Sequence, residues 1–154
     1  MNGPNQEIQF EIRKATQEDS GNIRKMILST GINPTGLNWE RFLVAVSKDG
    51  TFIGCGQVKP HVDGTMELAS IAVRRDWRGR GVARALIEAL IASHSGELYL
   101  MCTSNLGPLY EKFGFREIPE GEMPTYFRRV SKLGGVLSNI AIGQRLLVMR
   151  RMKR

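Results

Sequence analysis

Cysteine and histidine are scarce in this chain: two of each, Cys55, Cys102, His61 and His94, with none clustered. A zinc centre draws about four such ligands at close spacing, so no metal site is expected. Both cysteines fall inside apolar segments that read as strands, which predicts buried free thiols and a reducing, cytoplasmic setting. Neither has a histidine and an acid near it in sequence, so covalent chemistry through a thiolate is not expected. Long apolar runs are missing as well: none approaches the roughly 20 residues that cross a bilayer, and no membrane role is expected. The opening residues, MNGPNQEIQFEIRK, lack a basic stretch followed by an apolar one, and so do not read as a secretory signal. The 154 residues, without repeats or linkers, are expected to form one domain over 1–154.

Acidic residues are the other shortage. Fifteen Asp and Glu against 22 Lys and Arg leave a formal net charge of +7. Such a surface concentrates anions, whether nucleic acid, anionic lipid or a phosphorylated small molecule. The excess falls in two places: Arg74, Arg75, Arg78, Arg80 and Arg84 around a glycine pair, and Arg145 with residues 150–154 at the end. Only the first has a backbone reason to hold phosphate. The second reads as a solvated end. Aromatic residues are not interleaved with either, which argues against a dedicated nucleic-acid module.

What is present is a clear order of elements. Ile8 to Lys14 alternates apolar and polar, as a half-buried strand does. Thr16 with Asp19 suggests a capping box ahead of a helix carrying Ile23, Met26 and Ile27, broken at 31–36. Phe42 to Ser47 and Thr51 to Lys59 form a predicted hairpin across Lys48-Asp49-Gly50, and Val62-Asp63-Gly64 turns into the strand Thr65 to Val73. Val82, Ala85, Leu86, Ala89 and Leu90 then recur at helical spacing. Glu97 to Cys102 is a strand, Asn105 an N-cap, Leu109 with Phe113 one face of a short helix ended by Gly114, and Arg145 to Arg150 the last strand-like run. The order β-α-β-β-β-α-β-α-β-β predicts an α+β, or mixed α/β, fold on one mostly antiparallel sheet of about seven strands with one βαβ crossover.

The most informative stretch is Val73-Arg74-Arg75-Asp76-Trp77-Arg78-Gly79-Arg80-Gly81-Val82-Ala83. A strand ends, two glycines and several arginines follow, and an amphipathic helix begins. Unpaired amides and the positive dipole end at a helix start, with glycines that allow close approach, make a diphosphate site. A Walker A loop would need Gly-Lys-Ser/Thr, and a dinucleotide fingerprint would need glycine where Arg84 stands.

Arg78-Gly79-Arg80-Gly81-Val82-Ala83 resembles the Arg/Gln-x-x-Gly-x-Gly/Ala signature of the GNAT superfamily of acyl-CoA-dependent N-acyltransferases, with Ala83 as the permitted alternative to a second glycine. Glu67 to Val73 resembles the family's preceding strand, and Asn105 with Leu109-Tyr110-Glu111-Lys112-Phe113-Gly114-Phe115 its next strand end and helix. The resemblance implies that backbone amides of Arg78, Gly79, Arg80, Gly81, Val82 and Ala83 hold the diphosphate of acetyl-CoA (coenzyme A), with Arg84 just beyond. It implies that the backbone of Ile71, Ala72 and Val73 receives the pantetheine arm, Ile71 and Val73 pairing with its amides, that Asn105 contacts that arm, and that Tyr110 is the general acid.

An amine attacks a thioester only when neutral, so a base must remove a proton and an acid must protonate the thiolate that leaves. Tyr110 suits the acid step, since a phenol of pKa about 10 is close to a thiol; its purely structural alternative is packing beside Phe113. Glu67 is the candidate base, sharing by alternation a strand face with Ala69, Ile71 and Val73. His61 and His94 are the alternative bases, but His61 adjoins a turn and His94 closes a helix, and both are read as surface residues. Direct transfer through a ternary complex is expected. The acceptor amine is left open between a polyamine, an amino acid, an antibiotic, a protein N-terminus and a lysine side chain. The 31–41 and 116–144 segments are its expected surroundings, with Glu117, Glu120 and Glu122 available to a cation. Tyr126 and Phe127 either wall that site or fill the core, and are read as core. A non-catalytic acyl-CoA sensor and a nucleic-acid-associated basic protein are the alternatives, and the chain is expected as monomer or homodimer.

Overall fold

A computed structural model describes residues 9–133 and 143–153. Among the described residues the strands are β1 (Phe10–Lys14), β2 (Phe42–Ser47), β3 (Phe52–Pro60), β4 (Met66–Val73), β5 (Leu98–Thr103), β6 (Arg116–Glu117) and β7 (Leu146–Arg151). The helices are α1 (Ser20–Thr30), α2 (Val82–Ala92), α3 (Gly107–Glu111) and α4 (Thr125–Leu133). The strands form one sheet in the order β1-β2-β3-β4-β5-β7-β6. Pairing is antiparallel at β1–β2, β2–β3, β5–β7 and β6–β7, and parallel at β4–β5, where α2 is the crossover. The α+β expectation and the strand count hold. Ile8, expected in β1, and 134–142 of the long C-terminal stretch lie outside the described residues. None of the described helices is long and apolar enough to cross a membrane.

By contacts the chain divides into two compact units, one comprising the chain up to Gln57 with Ser70–Ile91, the other Val58–Ala69 with the chain from Ala92. In the first, alternation along β2 decides which side chains meet which helix. Phe42, Val44 and Val46 join Ile23, Ile27, Cys55 and Ala72 in one cluster, and Ala45 joins Ile53, Val73, Val82 and Leu86 in the other. Each fully buried large apolar side chain stabilises by about 1.5–3 kcal/mol relative to exposure. Two glycines let α2 approach the sheet. A Cβ at Gly54 would meet Val82 and Leu86 at 3.2 Å, and one at Gly56 would meet Leu90 Cδ1 at 2.9 Å. The expected capping box forms, with the Thr16 amide donating to Asp19 Oδ2 over 2.7 Å, and Gly31 (φ 71°) closes α1 in the left-handed conformation.

The second unit differs from expectation in one element. The stretch after Phe115, read as a single long segment, contains α4, whose Phe127 is fully buried with Ile118 and Val148. The spacing of Tyr126, Phe127, Val130 and Leu133 carries that helix in the sequence. β6 is only two residues, too short for any periodicity to reveal.

Candidate functional site

The first group of candidate residues is the β4–α2 turn. A short 3-10 turn (Arg75–Trp77) leads to Gly79 (φ 76°) and Gly81 (φ 83°), conformations that only glycine adopts without strain. A Cβ at either would have no atom within 4 Å, so the outer side of the turn is open. The first intrahelical bond of α2 runs from the Ala85 amide to the Gly81 carbonyl (3.0 Å), which leaves the amides of Val82, Ala83 and Arg84 without an intrahelical partner. The arginines are held by different neighbours: Arg78 Nε donates to the Val73 carbonyl (3.2 Å), and Arg80 lies 4.8 Å over the Trp77 ring. Arg74 pairs with Asp76 at 2.8 Å, and Arg84 with Glu88 one helical turn on at 3.0 Å. Such exposed pairs contribute little stability, so these arginines stay available to an anion.

In β4, Ala72 and Val73 are buried and Ile71 is half-buried. The β4–β5 ladder consists of one register pair, Glu67 with Tyr99, and does not engage the backbone of Ile71 or Val73. Ser70 has a φ of 58°, the one positive value at a non-glycine among the described residues. Ser70 interrupts the strand alternation that would place Glu67 on the face of Ile71 and Val73. Nothing in the sequence of β4 marks Ser70 as unusual.

Tyr110 sits in the last turn of α3, its ring edge-on to Phe115 at 6.1 Å rather than beside Phe113. Burial pushes its phenol up to about 12, with Cys102 adding to the rise. Its proton is therefore firmly held at neutral pH. Asn105 is not the N-cap of α3. It lies within a 3-10 turn, Ser104–Leu106, which displaces the helix start to Gly107. Asn105 Oδ1 accepts from the Thr103 hydroxyl, and its amide donates to Gln144 Oε1 at 2.9 Å.

Glu67 is buried, as its assignment as a base requires, and burial raises its carboxyl above the ordinary value while His61 and Lys59 pull it down. His61 departs from expectation. Its side chain is only 9% exposed, and its Nε2 lies 2.9 Å from Glu67 Oε1. The ring stacks on Tyr126 at 3.8 Å and meets Phe127 edge-on at 5.7 Å. The surface placement fails because α4, absent from the sequence expectation, supplies those two rings. Phe127 is core as expected, whereas Tyr126 is half-buried against the imidazole.

The acidic trio has basic partners. Arg145 holds Glu117 (2.9 Å), Lys132 reaches Glu120 (3.4 Å) and Arg150 reaches Glu122 (3.3 Å). These pairs occupy the charges expected to attract a cationic acceptor. The end expected to be solvated is so in part: Met152 and Lys153 are exposed and Arg154 lies outside the described residues, whereas Arg151 is buried with its Nε donating to the Phe113 carbonyl at 2.9 Å. Cys55 and Cys102 are buried free thiols, pushed by burial to about 12 and about 11. Neither is a thiolate at neutral pH.

A mixed sheet of this strand order, with an anion-ready turn opening its crossover helix, has the layout of an acyl-group transferase with a nucleotide-bearing donor. The chain belongs to the GNAT acetyltransferase family: the family model described as "Acetyltransferase (GNAT) domain" matches residues 38–117, just over half of the chain. A comparison with curated protein sequences finds no match. Among solved structures, the chain is similar to Rv2747 of Mycobacterium tuberculosis, in complex with CoA, at 17% identity and a TM-score of 0.74, covering 94% of this chain and 99% of that one. It is similar to N-acetylglutamate synthase of Neisseria gonorrhoeae, complexed with coenzyme A and N-acetyl-glutamate, at 20% identity and a TM-score of 0.74. That match covers 97% of this chain and only 36% of the synthase. A GNAT-family acetyltransferase of Staphylococcus aureus matches at 16% identity and a TM-score of 0.68, covering 94% of this chain and 99% of that one. At these identities the likeness is one of fold.

Proposed function

We propose that the protein is an N-acetyltransferase that moves an acetyl group from acetyl-CoA to a primary amine by direct transfer in a ternary complex. The observation that carries this is the β4–α2 turn, where the amides of Val82, Ala83 and Arg84 lack intrahelical partners beside two open positive-φ glycines. The diphosphate binds there, on the amides from Gly79 through Ala83, with the Arg84 guanidinium beyond; the Arg78 amide, expected to join them, donates to the Arg75 carbonyl at 3.3 Å. The backbone of Ile71 and Val73, outside the β5 ladder, pairs with the pantetheine amides as an added strand would, Ala72 lying between them. Asn105 contacts the same arm.

Tyr110 supplies the proton for the departing thiolate. A phenol held near 12 by burial is a poor acid by itself against a thiol of about 8.5. It works when the proton of the newly acylated nitrogen arrives as its own leaves. The base is drawn from the Glu67–His61 pair. The high thiol values of Cys55 and Cys102 favour direct transfer over a thioester on the protein.

Calorimetric titration with acetyl-CoA, desulfo-coenzyme A and ATP tests the donor site. Binding of both coenzyme A forms and weak binding of ATP are expected, lost in Gly81→Glu, whose carboxylate enters the diphosphate position. Equal binding of acetyl-CoA by Gly81→Glu displaces the site. A panel of primary amines (amino acids, a polyamine, peptides with free N-termini and lysine side chains) then tests transfer through thiol release. Binding without turnover of any amine leaves an acyl-CoA sensor.

A further inference from the structure

His61 is anchored on every side. Its amide donates to the Thr65 carbonyl at 2.8 Å, and its own carbonyl accepts from the Gly64 amide at 2.9 Å, so the tight turn between β3 and β4 fixes the backbone. The ring lies flat on Tyr126 and edge-on to Phe127, and one ring nitrogen is taken by Glu67. Burying an imidazole and a carboxylate together is expensive compared with an apolar pair of the same size, and packing alone does not call for it. About a tenth of each side chain remains open, 9% for His61 and 10% for Glu67.

We propose, on the N-acetyltransferase reading above, that His61 is the group that takes the proton from the attacking amine and that Glu67 is its positioning residue. With Glu67 as a carboxylate, Nε2 carries the hydrogen that Glu67 accepts, which places the free lone pair on Nδ1. The arrangement is that of a carboxylate orienting a histidine base, here with a ring also clamped by two aromatic side chains. Nδ1 removes one proton from the substrate ammonium. The amine lone pair then forms the C–N bond with the thioester carbonyl carbon, the C–S bond breaks, and the thiolate takes the Tyr110 proton. The Tyr110 phenolate recovers the second proton from nitrogen, and the imidazolium returns its proton to water. The charged and titratable groups around the ring are Glu67 on β4, Lys59 on β3, Asp63 in the turn and Tyr126 on α4.

The test is the pH dependence of kcat/KM for the panel amine with the highest turnover, measured for wild type, His61→Gln, His61→Ala and Glu67→Gln. Wild type should lose activity on the acid side. His61→Gln should lower kcat/KM at neutral pH by about a hundredfold and remove that acid limb, with acetyl-CoA affinity unchanged. Glu67→Gln should retain activity within about tenfold and keep the acid limb, because the base itself is still present. Added imidazole should restore part of the His61→Ala rate. If the acid limb persists in His61→Gln and disappears in Glu67→Gln, Glu67 is the base and the assignment is overturned. Should the His61 variants fail to fold, the wild-type imidazole titration followed by NMR decides: its midpoint must match the acid limb, and a mismatch overturns the proposal. A wild type that binds no acetyl-CoA and acetylates none of the amines fails the N-acetyltransferase reading itself, which is a separate result.

Discussion

Gln57 on β3 donates from Nε2 to the Ser70 hydroxyl over 2.9 Å, and the same nitrogen donates to the Gly36 carbonyl at 3.1 Å. The carbonyl of Gly36 can only accept, which settles which amide atom is nitrogen and leaves Gln57 Oε1 buried without a protein partner. The amide thus ties the loop after α1 to the one non-glycine residue with positive φ among those described, Ser70.

Ser70→Val should therefore be strongly destabilising. A β-branched residue in the left-handed region costs about 1–2 kcal/mol, and loss of the buried hydrogen bond adds about 1–3 kcal/mol. Ser70→Gly removes the backbone strain but not the hydrogen-bond loss, so urea midpoints should order wild type, then Ser70→Gly, then Ser70→Val. A Ser70→Val midpoint equal to that of wild type contradicts the backbone conformation described.

Close packing of α2 on β3 is tested at Gly56. Its added Cβ would lie 2.5 Å from Ile71 Cδ1 and 2.9 Å from Leu90 Cδ1. Gly56→Ala should destabilise by about 1–3 kcal/mol through overpacking. Ile71→Val removes the offending methyl, so the double variant should be more stable than the sum of the single changes, a coupling that a double-mutant cycle measures.

Tyr110→Phe keeps the ring against Phe115 and removes the proton. Turnover should fall at least tenfold while acetyl-CoA affinity, read by calorimetry, stays nearly unchanged. Equal turnover in variant and wild type removes Tyr110 from the chemistry.

Asp19 accepts from both Arg13 guanidinium nitrogens, at 2.7 and 3.1 Å. The Arg13 hydrogen bonds hold its carboxyl below the ordinary value despite burial. A carboxyl depressed in the folded state contributes stability above its unfolded pKa, and that contribution is lost as pH falls through the folded pKa. Asp19→Asn should be destabilised by about 1–2 kcal/mol at neutral pH, and the difference should shrink when unfolding is followed in acid. A constant difference at all pH values would mean that charge plays no part.

Much of the fold was legible because its signals are local. Alternation along β1 and β2, the Asp49-Gly50 turn and the 3.6-residue spacing of Val82, Leu86 and Leu90 each depend on near neighbours. The cofactor turn was legible for the same reason: its two glycines and the helix they open are adjacent in the chain. α4 carries both boundary signals in the sequence, Pro124 before Thr125 and Gly134-Gly135 after Leu133, but lies inside the long stretch 116–144, read without internal elements, and Asn105 is displaced from the helix N-cap because a 3-10 turn precedes α3. Helix starts shift by a residue or two according to which backbone bond closes first.

By itself the sequence determined the order of strands and helices, the anion-ready turn at the head of α2, and the family. Only the tertiary structure decided the surroundings of His61, the pairing of Glu117, Glu120 and Glu122, and the conformation of Ser70. A burial environment or an ion pair is set by side chains remote in the chain, here Tyr126 and Phe127 of α4 against His61, and Arg145, Lys132 and Arg150 against Glu117, Glu120 and Glu122. Periodicity reports which face of an element is buried, but not which residue of another element will lie against it.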